Sequence, residues 1–129
     1  ISANVGATYT MGQFSLGYGE GGYQPATGLT AADETIYYEN QYQGIQFDVN
    51  DSLSLSYNED SSEKNTRTAV AVGSTAGTKA VIEMEQETLQ VAYTVGGATI
   101  GIADIEVTNA DYTSGKDETQ TIISLGISF

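Results

Sequence analysis

The sequence has no cysteine, no histidine and no tryptophan, one proline, and only four lysine and arginine residues in 129. Without cysteine there are no disulfides and no thiolate metal sites, and the redox compartment stays open. Without histidine as well, the familiar nucleophile and base pairs are missing, and no pair of carboxylates sits in a context that tunes acidity. We therefore expect neither an enzyme nor a cofactor. Seventeen acidic residues against four basic ones give a net charge of -13, which repels phosphate backbones and argues against nucleic acid as a partner. Long apolar runs are absent too. Ala69 to Val72 is among the longest, whereas a membrane-crossing helix needs about 20 consecutive apolar residues.

What is present is the vocabulary of strands: 9 Tyr and 15 Gly among recurring Thr, Val and Ile. Seven segments alternate apolar and polar residues with a period of two. The first pair is Ser2 to Met11 and Phe14 to Gly19, joined by Gly12 and Gln13. The second is Gly44 to Val49 and Ser52 to Tyr57, joined by Asn50 and Asp51. The third is Leu89 to Val95 and Ala98 to Val107, joined by Gly96 and Gly97, and the seventh segment is the C-terminal Thr121 to Phe129. Two-residue links predict hairpins. Between the pairs lie long polar connections, Glu20 to Glu34, Glu59 to Lys79 and Asn109 to Glu118. Strict alternation of short and long links predicts an antiparallel meander with all tight turns at one end.

Two registers need repair. Tyr38 and Tyr42 are out of phase with Ile45 and Phe47, and Ile100 and Ile102 with Ile105 and Val107. We expect bulges near Gly44 and at Ala103 to Asp104. The face opposite the large apolar residues is small and uncharged, with Gly6, Thr8, Ser15, Ser54, Ser56, Gln90, Thr94 and Ser124, and all four basic residues fall in or beside the expected long connections. A soluble β-domain places Lys and Glu on its wet strand faces. This pattern instead predicts an all-β, antiparallel, up-and-down transmembrane barrel, with the apolar face toward lipid and the polar face lining a lumen. Ring-bearing residues near strand ends, Phe14, Tyr18, Tyr37, Tyr38, Tyr57 and Phe129, are expected as interfacial girdles. The alternative from the same pattern is a soluble β-sandwich or adhesin repeat.

The ending "TIISLGISF", with Phe129 last and Ile127, Leu125 and Ile123 in alternation, resembles the C-terminal strand signal of Gram-negative outer-membrane proteins that the β-barrel assembly machinery reads. "DVNDSLSLSY" and "LQVAYTVGGATIGIADIEV" are similar to strand, turn and strand units of general porins of the alphaproteobacterial type. That resemblance implies a trimeric, 16-stranded diffusion pore in contact with lipid and lipopolysaccharide. It also implies extracellular long loops, a periplasmic C-terminus, and a constriction where acids face arginines. Seven strands are fewer than the smallest such barrels contain, so residues 1–129 are expected as one segment, the C-terminal part of a larger barrel.

For the lumen, Asp48 and Glu106 are the expected charged wall residues, Glu106 only if the bulge at Ala103 to Asp104 exists, together with Gln46, Ser54, Ser56, Gln90, Thr94 and Ser124. Glu83, Glu85 and Glu87 share a strand face and are weak candidates for a divalent cation through oxygen ligands. An exposed strand top is the plainer reading. "GYGEGG" matches a G-x-G-x-x-G pattern, but Pro25 and a non-helical segment follow it where a phosphate loop needs a helix. Two functions of different class follow: a porin for passive diffusion of small hydrophilic solutes and ions, or a small closed barrel or surface protein whose acidic loops bind a partner.

Overall fold

The structure is a computed structural model, describing residues 1–25, 34–67 and 77–128. It contains seven strands: β1 (Ser2–Met11), β2 (Phe14–Tyr23), β3 (Glu34–Asn50), β4 (Leu53–Arg67), β5 (Lys79–Val95), β6 (Ala98–Thr108) and β7 (Glu118–Ile127). They form one sheet in sequence order, every neighbour antiparallel, with β1 and β7 as unpaired edges. The sheet is open.

The three tight turns sit at one end for the reasons the sequence suggests. Gly96 and Gly97 both have positive φ, 56° and 82°, which is the backbone that a two-residue hairpin needs and that glycine adopts without strain. The middle turn is displaced by one residue from its expected place. Asn50 ends β3, and its Oδ1 accepts hydrogen bonds from the backbone N–H groups of Ser52 and Leu53 at 2.8 and 3.0 Å, so the side chain itself builds the turn.

At the other end the central strands run much further than apolar alternation indicates. β4 continues to Arg67 and β5 begins at Lys79, so residues 59–67 of the expected 59–79 connection are paired strand. The stretch "SSEKNTR" is polar on both faces and carries no period to read, but its backbone is satisfied by the ladders to β3 and β5. Lys64 and Arg67 therefore stand in a strand, not in a loop, and Lys79 opens the next one. Much of what lies between β2 and β3 and between β4 and β5 is outside the described residues.

Both expected bulges are absent. Gly44 pairs in unbroken register with Gly17 and Asn58, and Ala103 and Asp104 pair in unbroken register with Gln90 and Leu89 and with Ile122 and Thr121. The irregularities lie near the ends of β3, between Thr35 and Tyr37 and between Asp48 and Asn50. Tyr38 and Tyr42 accordingly share the face of Gln46 and Asp48, so Tyr38 is not part of a girdle on the apolar face. Tyr42 pairs with Gly19, where a Cβ would lie in ordinary contact with the ring at 3.7 Å and be crowded by the Val5 carbonyl oxygen at 3.2 Å.

The sheet has no hydrophobic core. Among the described residues only Ala110, Asn65 and Thr88 are buried, whereas Val5, Ile123, Leu125 and Ile127 are 66–74% exposed.

Candidate functional site

Register assigns every strand residue to one of two faces, because residues opposite each other in a ladder point the same way. One row crosses all seven strands: Met11, Phe14, Phe47, Leu55, Val91, Ile102 and Ile123. Every member is apolar, and the Phe14 and Phe47 rings stack at 4.5 Å. The neighbouring row on the other face reads Thr10, Ser15, Gln46, Ser56, Gln90, Ala103 and Ile122. It is small or polar until its last position.

On β2 and β6 the polar face is the more sheltered one, whereas on the lower part of β3 Gln46 and Asp48 are exposed and Phe47 and Val49 half-buried. Along β2 and β6 exposure alternates strictly over most of each strand, with Leu16, Tyr18, Ile100 and Ile102 exposed and Ser15, Gly17, Gly101 and Ala103 half-buried. The sheet curls around a hollow of about 730 Å³ lined by Thr8, Ser15, Gln46, Ser56, Asn58 and Gln90. On the same face hydroxyls bridge strands, Thr10 to Ser15 at 3.0 Å and Thr94 to Thr99 at 2.9 Å, and Gln46 donates to Asp48 at 2.9 Å.

Of the residues expected on the polar face, Asp48, Gln46, Ser54, Ser56, Gln90, Thr94 and Ser124 all stand on it. Glu106 does not. With no bulge in β6 it keeps the phase of Ile100 and Ile102 and pairs with Glu87 and Thr119 on the opposite face. Ile123, Leu125 and Ile127 lie on the apolar face as expected, and Phe129 is outside the described residues.

The apolar face changes character along the strands. Two rows from the all-apolar one comes Ala7, Tyr18, Gln43, Glu59, Glu87, Glu106 and Thr119, then Val5, Glu20, Gln41, Ser61, Glu85 and Thr108, then Ala3, Gly22, Glu39, Glu63 and Glu83. Glu83, Glu85 and Glu87 do share this face, but the tight group is Glu59, Glu85 and Glu87, with carboxylate oxygens within 4.8 Å of one another. Glu59 is on the neighbouring strand, so no spacing within one segment could reveal it. Like charges opposite each other on a sheet are unfavourable. Two neighbouring groups offset this: Tyr57 donates to Glu87 at 2.7 Å and Gln43 to Glu59 at 2.9 Å. Such a set offers oxygen donors to a hard cation.

The β6–β7 connection is built rather than slack. Asn109, Asp111 and Tyr112 have positive φ of 53–56°, a backbone that costs on the order of 1 kcal/mol per non-glycine residue. Asn109 braces it: Oδ1 accepts from Gly115 N–H and Nδ2 donates to the Glu83 carbonyl, each at 2.9 Å, while its own N–H donates to Asp117 at 3.1 Å. Lys116 bridges Asp111 and, at 3.1 Å, Glu118. The hydrogen bond and charge of Lys116 hold the Asp111 carboxyl below its usual range, and the bonds to Asp111 and Glu118 push the Lys116 ammonium above its own.

This connection carries Tyr112 past β5 onto β4 and β3. Its hydroxyl lies 2.7 Å from Ser62 Oγ, which donates to Asn40 at 2.6 Å. Its ring is 5.5 Å from Tyr38, which stacks on Tyr23 at 6.2 Å, and the Lys64 ammonium sits 5.6 Å from its centre. Ser62, Lys64 and Tyr38 all stand on the polar face. Sequence reasoning missed Tyr112 and Lys64 because both fall in segments without apolar alternation.

No protein-family model, no curated protein and no solved structure matches this chain.

Proposed function

We propose that the chain is part of an outer-membrane barrel that forms a water-filled channel for passive diffusion of small hydrophilic solutes and ions. One observation carries this: the curled sheet turns a seven-residue apolar row outward and a small, polar wall inward, with no protein core to cover the outward face. A monomer in water does not leave that much contiguous apolar surface exposed, whereas lipid covers such a face and a barrel satisfies the open backbone edges. In this reading the described strands are an arc of a larger barrel, up to 16 strands in a trimer, with tight turns in the periplasm and long connections outside. Lipopolysaccharide and lipid are its surroundings, and the barrel assembly machinery is its inserting partner.

The wall chemistry fits diffusion rather than tight binding. Hydroxyls, amides and glycines offer weak, replaceable hydrogen bonds to solutes and water. Reconstitution of the complete protein in planar bilayers tests the reading. Stepwise ohmic conductance is expected, with cation preference set by the acids of the long-connection end and weakening as salt is raised, because exposed charges are screened beyond about 10 Å at 0.1 M. Absence of conductance, together with absence of solute-driven swelling of proteoliposomes, would refute it.

A further inference from the structure

The geometry points to the β6–β7 connection as a constriction of the channel, with Tyr112 and Lys64 as the groups that set its width and charge at the long-connection end. The inference rests on the channel reading above. A connection between neighbouring strands has no need to reach past its own hairpin. This one passes β5 and ends with a phenol on β4 and β3, so it folds onto the polar face at the long-connection end, above the hollow's Asp60 and Gln86, rather than splaying away from it. It reaches there through three left-handed non-glycine residues, a costly backbone that persists only where surrounding bonds hold it. Those bonds are present at both ends: Asn109 and the Lys116 bridges at the base, Ser62 and Tyr38 at the tip.

Charge adds the second part. Among the described residues, Lys64 is the only basic side chain on the polar face, since Arg67 and Lys79 pair with each other on the opposite one and Lys116 is in the connection. Among the described residues, Asp48, Asp60 and Glu118 are the acids of the polar face. A cation held against the Tyr112 ring thus faces a passage whose other wall charges are negative. Passing cations meet a local barrier there, and passing anions meet an attractive group.

Single-channel recording on the complete protein tests this with three variants. Tyr112→Ala removes the tip and its anchors, and conductance is expected to rise above wild type. Tyr112→Phe keeps the ring contacts and loses only the bond to Ser62, so it should fall between the two. Tyr37→Ala, at the same end but on the apolar face, should leave conductance unchanged. In parallel, Lys64→Gln should shift the reversal potential toward stronger cation preference. A conducting wild type whose conductance does not move in Tyr112→Ala overturns the constriction and leaves the channel reading standing. A wild type that does not conduct overturns the channel reading and the constriction with it.

Placement of the connection has its own readout, independent of conduction. The chain has no cysteine, so a short bis-maleimide should join Ser62→Cys to Tyr112→Cys within one folded chain. Failure to cross-link in folded protein would show that the connection does not lie across β4.

Discussion

Adjacent residues on β4 offer the sharpest test of which face meets lipid. Leu55 belongs to the all-apolar row and Ser56 to the polar row beside it. A lysine at Leu55 would be placed in the hydrocarbon, at a cost of about 2–4 kcal/mol at mid-depth and less near the interfaces. That is roughly a 30- to 700-fold change in the folding equilibrium, at 1.4 kcal/mol per tenfold. A lysine at Ser56 would reach into water and cost well under 1 kcal/mol. Depth provides an internal control. Strand residues rise about 3.3 Å each, so Tyr57 and Glu59 stand about 7 and 13 Å further up the same face. Lysine should cost less at Tyr57, and at Glu59 it would meet Glu85 and Glu87 and cost nothing. The assay is urea-dependent folding into phospholipid vesicles, followed by the heat-modifiable gel shift of a closed barrel. In water the same substitutions would follow local exposure, and Leu55 is already 37% exposed, so its lysine could snorkel with little loss. Equal tolerance of Leu55→Lys and Ser56→Lys, or folding that needs no lipid, would refute the assignment of faces.

Three other outcomes follow from particular contacts. Asp111, lowered by Lys116, contributes stability that is present above the ordinary carboxylate range and lost as pH falls through its depressed value. Lys116, raised by Asp111 and Glu118, contributes below the ordinary lysine range and loses that contribution as pH rises through its elevated value. Amide protection across residues 109–117, corrected for the intrinsic pH dependence of exchange, should therefore be highest between these limits and fall on both sides. Gly12→Ala should cost about 1–2 kcal/mol from its positive φ alone, since nothing crowds the site. Gly97→Ala should cost more, because its Cβ would stand 2.8 Å from the Ser128 carbonyl oxygen, and denaturant midpoints compare the two. Asp48→Asn should reduce the cation preference that survives in concentrated salt, while Glu106→Gln, on the other face, should leave it unchanged in the same reversal-potential measurement.

The strand pattern was legible wherever one face was apolar and the other not. Ser2–Met11 could be read directly because its alternation never breaks. It failed in β6 and in the upper half of β3 for one physical reason: period-two reading assumes that a face keeps a single solvent along the whole strand. Here it does not. In β6 the face of Ile100 and Ile102 continues into Asp104 and Glu106, and the polar face acquires Ile105 and Val107. The apparent phase slip in the sequence is a change of surroundings at constant register, not an inserted residue. The grouping of Glu59 with Glu85 and Glu87, and the reach of Tyr112 to Ser62 fifty residues away, depend on cross-strand placement and could not be read from spacing at all.

The shape of the apolar band adds to the argument for a tilted barrel wall. Relative to the ladder rows, the lower limit of the band lies at Met11 and Phe14 on the first hairpin, one row lower at Leu53 on β4, and two rows lower at Val95, Ala98 and Ile127. Its upper limit descends as well, from Tyr18 through Ile45, Tyr57 and Leu89 to Ile102 and Ile123. Both limits thus drift about four residues, or roughly 14 Å, across six strand spacings of about 4.8 Å. That corresponds to an inclination of about 25° between strands and band normal, in the direction of the 35–45° tilt typical of closed barrels though smaller. A lipid slab has parallel surfaces, so strands that cross it at an angle must shift their apolar segments steadily from one to the next. The apolar face of a two-layer core is shaped by its partner sheet, and nothing in that arrangement requires both limits to drift together. The band's parallel slanted edges, rather than its apolar content alone, make lipid the better match for this face.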